Sequence, residues 1–131
     1  MLVVRNEQMD ILIKGTDDEW VEFLVGKVKE DDPEIVDEYN DDSLRSMVRT
    51  AIKKAELYGF VRAEDQSSFV AIMFEIAPNF DDQPEIKAVL KEQELLPSNR
   101  LQKLWSDVIS EEIWEKAADE YDEDAWTRDP T

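Results

Sequence analysis

The sequence predicts an all-α fold, one compact bundle of five or six helices. Three observations lead there. Apolar residues recur at helical spacing in each long segment. Asp, Ser and Pro stand where helices should start. Gly is scarce, with three in 131 residues, which disfavours a β fold rich in tight turns. Four Trp, five Phe and three Tyr supply core material and argue against disorder.

The elements follow in order. Thr16-Asp17-Asp18-Glu19 reads as a capping box, and Val21, Leu24, Val25 and Val28 continue at helical spacing. Asp32-Pro33 is the next start signal, with Asp as cap and Pro at the first helical position. Asn40-Asp41-Asp42-Ser43 marks a break or re-start. The clearest helix runs from Ser43 to Tyr58, with Leu44, Met47, Val48, Ala51, Ile52, Ala55 and Tyr58 on one face. Gly59 is expected to close it at positive φ, with Phe60 folding back. A helix from Glu64 to Ala77 has an uncharged middle carrying Phe69, Ile72, Met73 and Ile76, and is expected to be central.

Pro78 ends that helix. Asp82-Gln83-Pro84-Glu85 opens a short one with Ile86, Val89 and Leu90. Pro97-Ser98 opens the last, whose apolar face reads Leu101, Leu104, Trp105, Val108, Ile109, Ile113 and Ala117. Residues 1–121 form the expected helical domain, and 122–131 an aperiodic polar tail expected to fray. Leu2-Val3-Val4 has strand character but nothing to pair with.

Charge narrows the function. Acidic residues number 33 and basic ones 15, for a net charge of −18, with no His and no Cys. Ser-His-Asp and Cys-His catalysis are excluded, and so are zinc sites of the usual ligand set. Gly15, Gly26 and Gly59 make no phosphate loop. Composition alone leaves a two-carboxylate hydrolase open, but no carboxylate pair stands out among so many. No catalytic, cofactor-binding or metal-binding residue is assigned, and the chain is expected not to be an enzyme. The acidic run Glu30 to Asp42 lacks the spacing and the Gly of a calcium loop, and Pro33 interrupts it. It reads as a solvated face with cap residues.

The same charge repels phosphate backbones and anionic membranes and favours a basic protein as partner. The first residues lack the pattern of a signal peptide and no stretch has the apolar length of a membrane span, so a cytoplasmic setting is expected. The candidate contact region is the C-terminal acidic run with interleaved aromatics: Trp114, Glu115, Asp119, Glu120, Tyr121, Asp122, Glu123, Asp124 and Trp126. Carboxylates would steer a basic partner and the aromatics would anchor it. Placed at the end of one long helix, these acids would oppose its dipole, a small cost that favours a functional reading. The plainer alternative is that Trp114 packs on the core and the acids solvate the last helix. The basic stripe Arg45, Arg49 and Lys53 is expected to be neutralised within the chain.

Several stretches together resemble a family of small helical proteins. They are Val3-Val4-Arg5-Asn6-Glu7-Gln8-Met9, the early aromatic Phe23, Pro33, Ala55-Glu56-Leu57-Tyr58-Gly59-Phe60, Met73 to Asp81 with its Pro78-Asn79-Phe80-Asp81 turn, and Arg100 to Leu104. The family is encoded beside bacterial type VI secretion spike (VgrG or PAAR) and toxin genes. The resemblance spans most of residues 1–121, with Ala77 in place of a usual Gly and Ile86 in place of a common Trp. It implies an accessory of a secreted toxin or spike component: an immunity protein, a chaperone or an adaptor. The alternative is an acidic nucleic-acid mimic that blocks a basic DNA-binding cleft.

Overall fold

The computed structural model describes residues 17–128. The Thr16 cap, the Leu2-Val3-Val4 segment and the Val3–Met9 stretch lie outside the described residues. Among the described residues seven α-helices follow one another: α1 (Asp17–Asp31), α2 (Ile35–Glu38), α3 (Asp41–Leu57), α4 (Ala63–Glu75), α5 (Pro84–Leu90), α6 (Pro97–Leu104) and α7 (Glu111–Asp119). Two 3-10 turns, Phe80–Asp82 and Glu123–Trp126, complete the described elements, and there is no strand among the described residues. The expected fold class is correct. The count is higher than five or six because the last expected helix is two.

That split has a local cause. α6 stops at Leu104, where the Ser106 hydroxyl donates to the carbonyl of Lys103 at 2.6 Å. Ser110 then caps α7, its hydroxyl accepting from the Ile113 amide at 3.4 Å. Ser side chains that bond nearby backbone compete with helix continuation and favour new starts. Glu111 and Glu112 thereby fall in the first turn of α7, where the helix dipole favours negative charge. For these two acids the dipole is favourable, while Asp119 remains in the last turn of α7, where it is opposed.

The other starts behave in two ways. Asn40 caps α3, its side chain accepting from the Ser43 amide at 2.8 Å, so the break and re-start are real. Pro33 does not open a helix; it sits in a turn, and the single-turn α2 begins at Ile35. Gly59 has φ of 92°. The amide of Phe60 reaches the Ala55 carbonyl and that of Gly59 the Glu56 carbonyl, both at 2.9 Å. This is a Schellman closure, and it fixes Phe60 against the core.

α4 is the central helix, in contact with α1, α3 and α6. Phe69 and Met73 are fully buried, Ile72 is buried, and Ile76 is half-buried. The aromatic core runs Phe60–Phe69 at 5.5 Å between ring centroids and Phe69–Phe80 at 5.3 Å, edge on. Tertiary contact rather than intrinsic propensity holds helices this short together.

Buried polar groups tie the bundle at named points. Gln66 accepts from the Trp20 indole and donates to the Phe60 carbonyl, each at 2.9 Å. Arg100, buried, donates to the carbonyls of Tyr58, Leu90, Glu92 and Leu95. Its cation thus meets the carbonyl ends of α3 and α5, the end of a helix that favours positive charge. On the outside, Arg45 pairs with Glu22 and Asp42, and Arg49 with Asp18 at 3.2 Å. The basic stripe is neutralised within the chain at these two positions.

Candidate functional site

The C-terminal acidic segment is not a frayed tail over the residues described. Its 3-10 turn packs back on the bundle, and Trp126 is only 3% exposed. The Trp126 ring lies 4.6 Å from that of Phe74, and its indole N–H donates to the Tyr121 hydroxyl at 2.7 Å. The polar latch is Asn79. Its amide donates to the Glu120 carbonyl and its Oδ1 accepts from the Asp122 amide, both at 2.9 Å. Tyr39 adds a second tie by donating to Glu123 at 2.9 Å. Burial, then the hydrogen bond to Glu123, pushes the Tyr39 hydroxyl pKa above its usual value. The Tyr121 hydroxyl is pushed up as well, chiefly by burial.

These contacts sort the expected contact residues. Trp126 is core and is withdrawn as an anchor. Asp122 caps the turn by accepting from the Asp124 amide and pairs with Arg128. Glu123 serves Tyr39. The carboxylates of Glu115 and Asp119 are exposed, whereas that of Glu120 accepts from the Gln83 amide at 3.4 Å and lies 3.9 Å from Lys116. Asp124 is exposed, and Tyr121 is 43% exposed. Trp114 is half-buried.

The most exposed Trp among the described residues lies where helical periodicity did not place it. Trp105 is 59% exposed and Val108 53% exposed, whereas both were expected on the buried face of one long helix. Because α6 ends at Leu104, the phase of the pattern is lost and both side chains are released to solvent. Trp105 stacks on Trp114 with centroids 4.9 Å apart and planes at 16°. Trp114 in turn lies 6.4 Å from the buried ring of Phe80. A ladder of rings therefore leads from the core to the surface and holds its outermost member in place. Exposed Asp107, Glu111, Glu112 and Glu115 flank it along the chain. Ser110 before two Glu was the available sign of a helix start, and it would have exposed Trp105 and Val108.

Among the described residues no group of His, Cys, Asp or Glu is arranged to hold a metal ion. No helix among them is long and apolar enough to cross a membrane. Comparison with protein-family models, with curated proteins and with solved structures finds no match.

Proposed function

We propose that the protein is a non-enzymatic binding protein that docks a basic, or locally basic, protein on the Trp105–Trp114 stack. The observation that carries this reading is the exposed, stacked Trp105 at the end of an aromatic ladder rooted in the core. Trp is the residue type most enriched among side chains that dominate binding energy, and one already held rigid loses little entropy on docking. The net charge of −18 and the carboxylates beside the stack supply long-range attraction for a cationic surface. Glu115, Asp119 and Glu120 remain in the acidic rim of this reading, with Tyr121 at its edge.

The partner class that fits the sequence resemblance is a secreted toxin or type VI spike component, with the protein acting as immunity factor, chaperone or adaptor. A nucleic-acid mimic would present rows of carboxylates without an apolar anchor. The exposed Trp105 favours the protein-binding reading over it.

The test is affinity capture from the native host, identification by mass spectrometry, and stopped-flow binding with the purified partner. Association should slow as salt rises, because the Debye length shrinks from about 10 Å at 0.1 M to about 3 Å at 1 M. Charge reversal at Glu112, Glu115 and Asp119 should lower the on-rate. An association rate indifferent to both salt and charge reversal contradicts the reading.

A further inference from the structure

A cavity of about 680 Å³ opens between the C-terminal half of α3, the turn after α4, and α5. Its lining runs against the charge of the chain. Lys54, Lys87, Lys91 and Arg128 all border it, against two carboxylates, Asp81 and Asp82. In a protein with 33 acidic and 15 basic residues, such a local excess of cations is a departure from the whole.

Part of this charge is already spent. Lys54 pairs with the buried Asp81 and donates to the Pro78 carbonyl at 2.9 Å, while Tyr58 donates to the other Asp81 oxygen at 2.6 Å. Arg128 pairs with Asp122. Lys87 and Lys91 are different. They stand one helical turn apart, Lys87 on α5 and Lys91 at its C-cap, and neither makes an ion pair among the described residues. Like charges at this spacing repel, and neither lysine has an acidic side chain at ion-pair distance among the described residues. An external anion would relieve them.

We propose that this cavity binds a small phosphate ester, its phosphate between the Lys87 and Lys91 ammonium groups and its carbon skeleton over Leu57 and Tyr58. Lys is a compact point-charge donor suited to phosphate, which carries close to two negative charges near neutral pH. Leu57 is 58% exposed at the cavity wall and offers apolar surface for the ester group. The volume is of the size that holds small organic ligands. The field of the whole protein opposes any anion, but at physiological salt it is screened beyond about 8 Å, so the adjacent ammonium groups dominate. The site shares no residue with the Trp105–Trp114 surface, so either reading can fail alone.

Titration calorimetry on the full chain tests this with adenosine monophosphate, glycerol 1-phosphate, glucose 6-phosphate and inorganic phosphate as probes. At least one ester should bind at one site with a dissociation constant below about 1 mM, and at least tenfold tighter than inorganic phosphate. Lys87→Glu combined with Lys91→Glu should weaken that ester at least tenfold. Lys27→Glu, a single charge reversal of the same kind on α1 outside the cavity, should leave it unchanged, with circular dichroism showing that both variants fold. Silence of all three esters overturns the proposal. So does binding indifferent to the Lys87 and Lys91 reversals, and binding lost equally in Lys27→Glu. Inorganic phosphate binding as tightly as the best ester removes the role given to Leu57 and Tyr58 and overturns the proposal as an ester site.

Discussion

Trp126 and Trp105 stand within one acidic C-terminal third of the chain, yet one is 3% exposed and the other 59%. Trp126 has Phe74 for its ring, Tyr121 for its indole N–H, and a backbone latched by Asn79 on its N-terminal side. Trp105 has a ring partner in Trp114 but no hydrogen-bond acceptor among the described residues, and it follows the last residue of α6. The contrast teaches that an aromatic amid carboxylates is not a contact residue by composition. What separates the two is whether nearby polar groups can be satisfied when the ring is folded inward. A buried indole N–H without an acceptor is costly, so the side chain with an acceptor goes in and the other stays in water.

The comparison breaks first at Trp126. Trp126→Ala should cost roughly 3–5 kcal/mol by the transfer and cavity cost of a buried aromatic, read from chemical denaturation. A loss under about 0.5 kcal/mol, the usual surface effect, would show that the segment is not docked. Next comes the latch. Asn79→Ala removes two hydrogen bonds from residues 120 and 122 and should cost about 1–3 kcal/mol, with faster amide exchange across 120–128 and little change in α4.

Alkaline pH sharpens the same point. The Tyr39 hydroxyl is raised in the fold above its ordinary value of 10.0, first by burial and then by its bond to Glu123. Above about pH 10 the unfolded chain loses this proton while the fold retains it, so the unfolded state binds fewer protons and stability falls as pH rises. The stabilisation is complete below pH 10 and is lost progressively towards the raised value. Tyr39→Phe should flatten part of this alkaline decline. Identical slopes in wild type and variant between pH 9 and about 11.5 would remove the tie from the account. The smallest expected stability effect is at the exposed ring: Trp105→Ala should change stability by less than about 0.5 kcal/mol.

Much of the fold was legible because its signals are local. The Asn40 restart, the α3 face, the Gly59 closure and the burial of Phe69, Ile72 and Met73 all depend on spacings within one or two turns. The split after Leu104 was missed because Trp105, Val108 and Ile109 mimic a continued apolar face. A side-chain bond from Ser106 and a cap at Ser110 override that pattern. The docking of 122–128 was illegible for another reason. It rests on Asn79 and Phe74, more than forty residues earlier, and no periodicity within the segment reports such a partner. The sequence placed the aromatics of the candidate surface at Trp114, Tyr121 and Trp126; of these Trp126 is buried, and the exposed ring stacked on Trp114 is Trp105. The cation pair of the cavity was hidden similarly, since Lys87 and Lys91 join Lys54 and Arg128 only through the packing of separate elements.

The central claim is that the Trp105–Trp114 stack, and not the 122–128 segment, is the surface that meets a basic protein. Titration calorimetry of Trp105→Ala against the purified protein captured by the wild type tests it most directly. The account predicts a dissociation constant at least tenfold higher, about 1.4 kcal/mol or more, with thermal stability unchanged. An unchanged dissociation constant for that folded variant would contradict it.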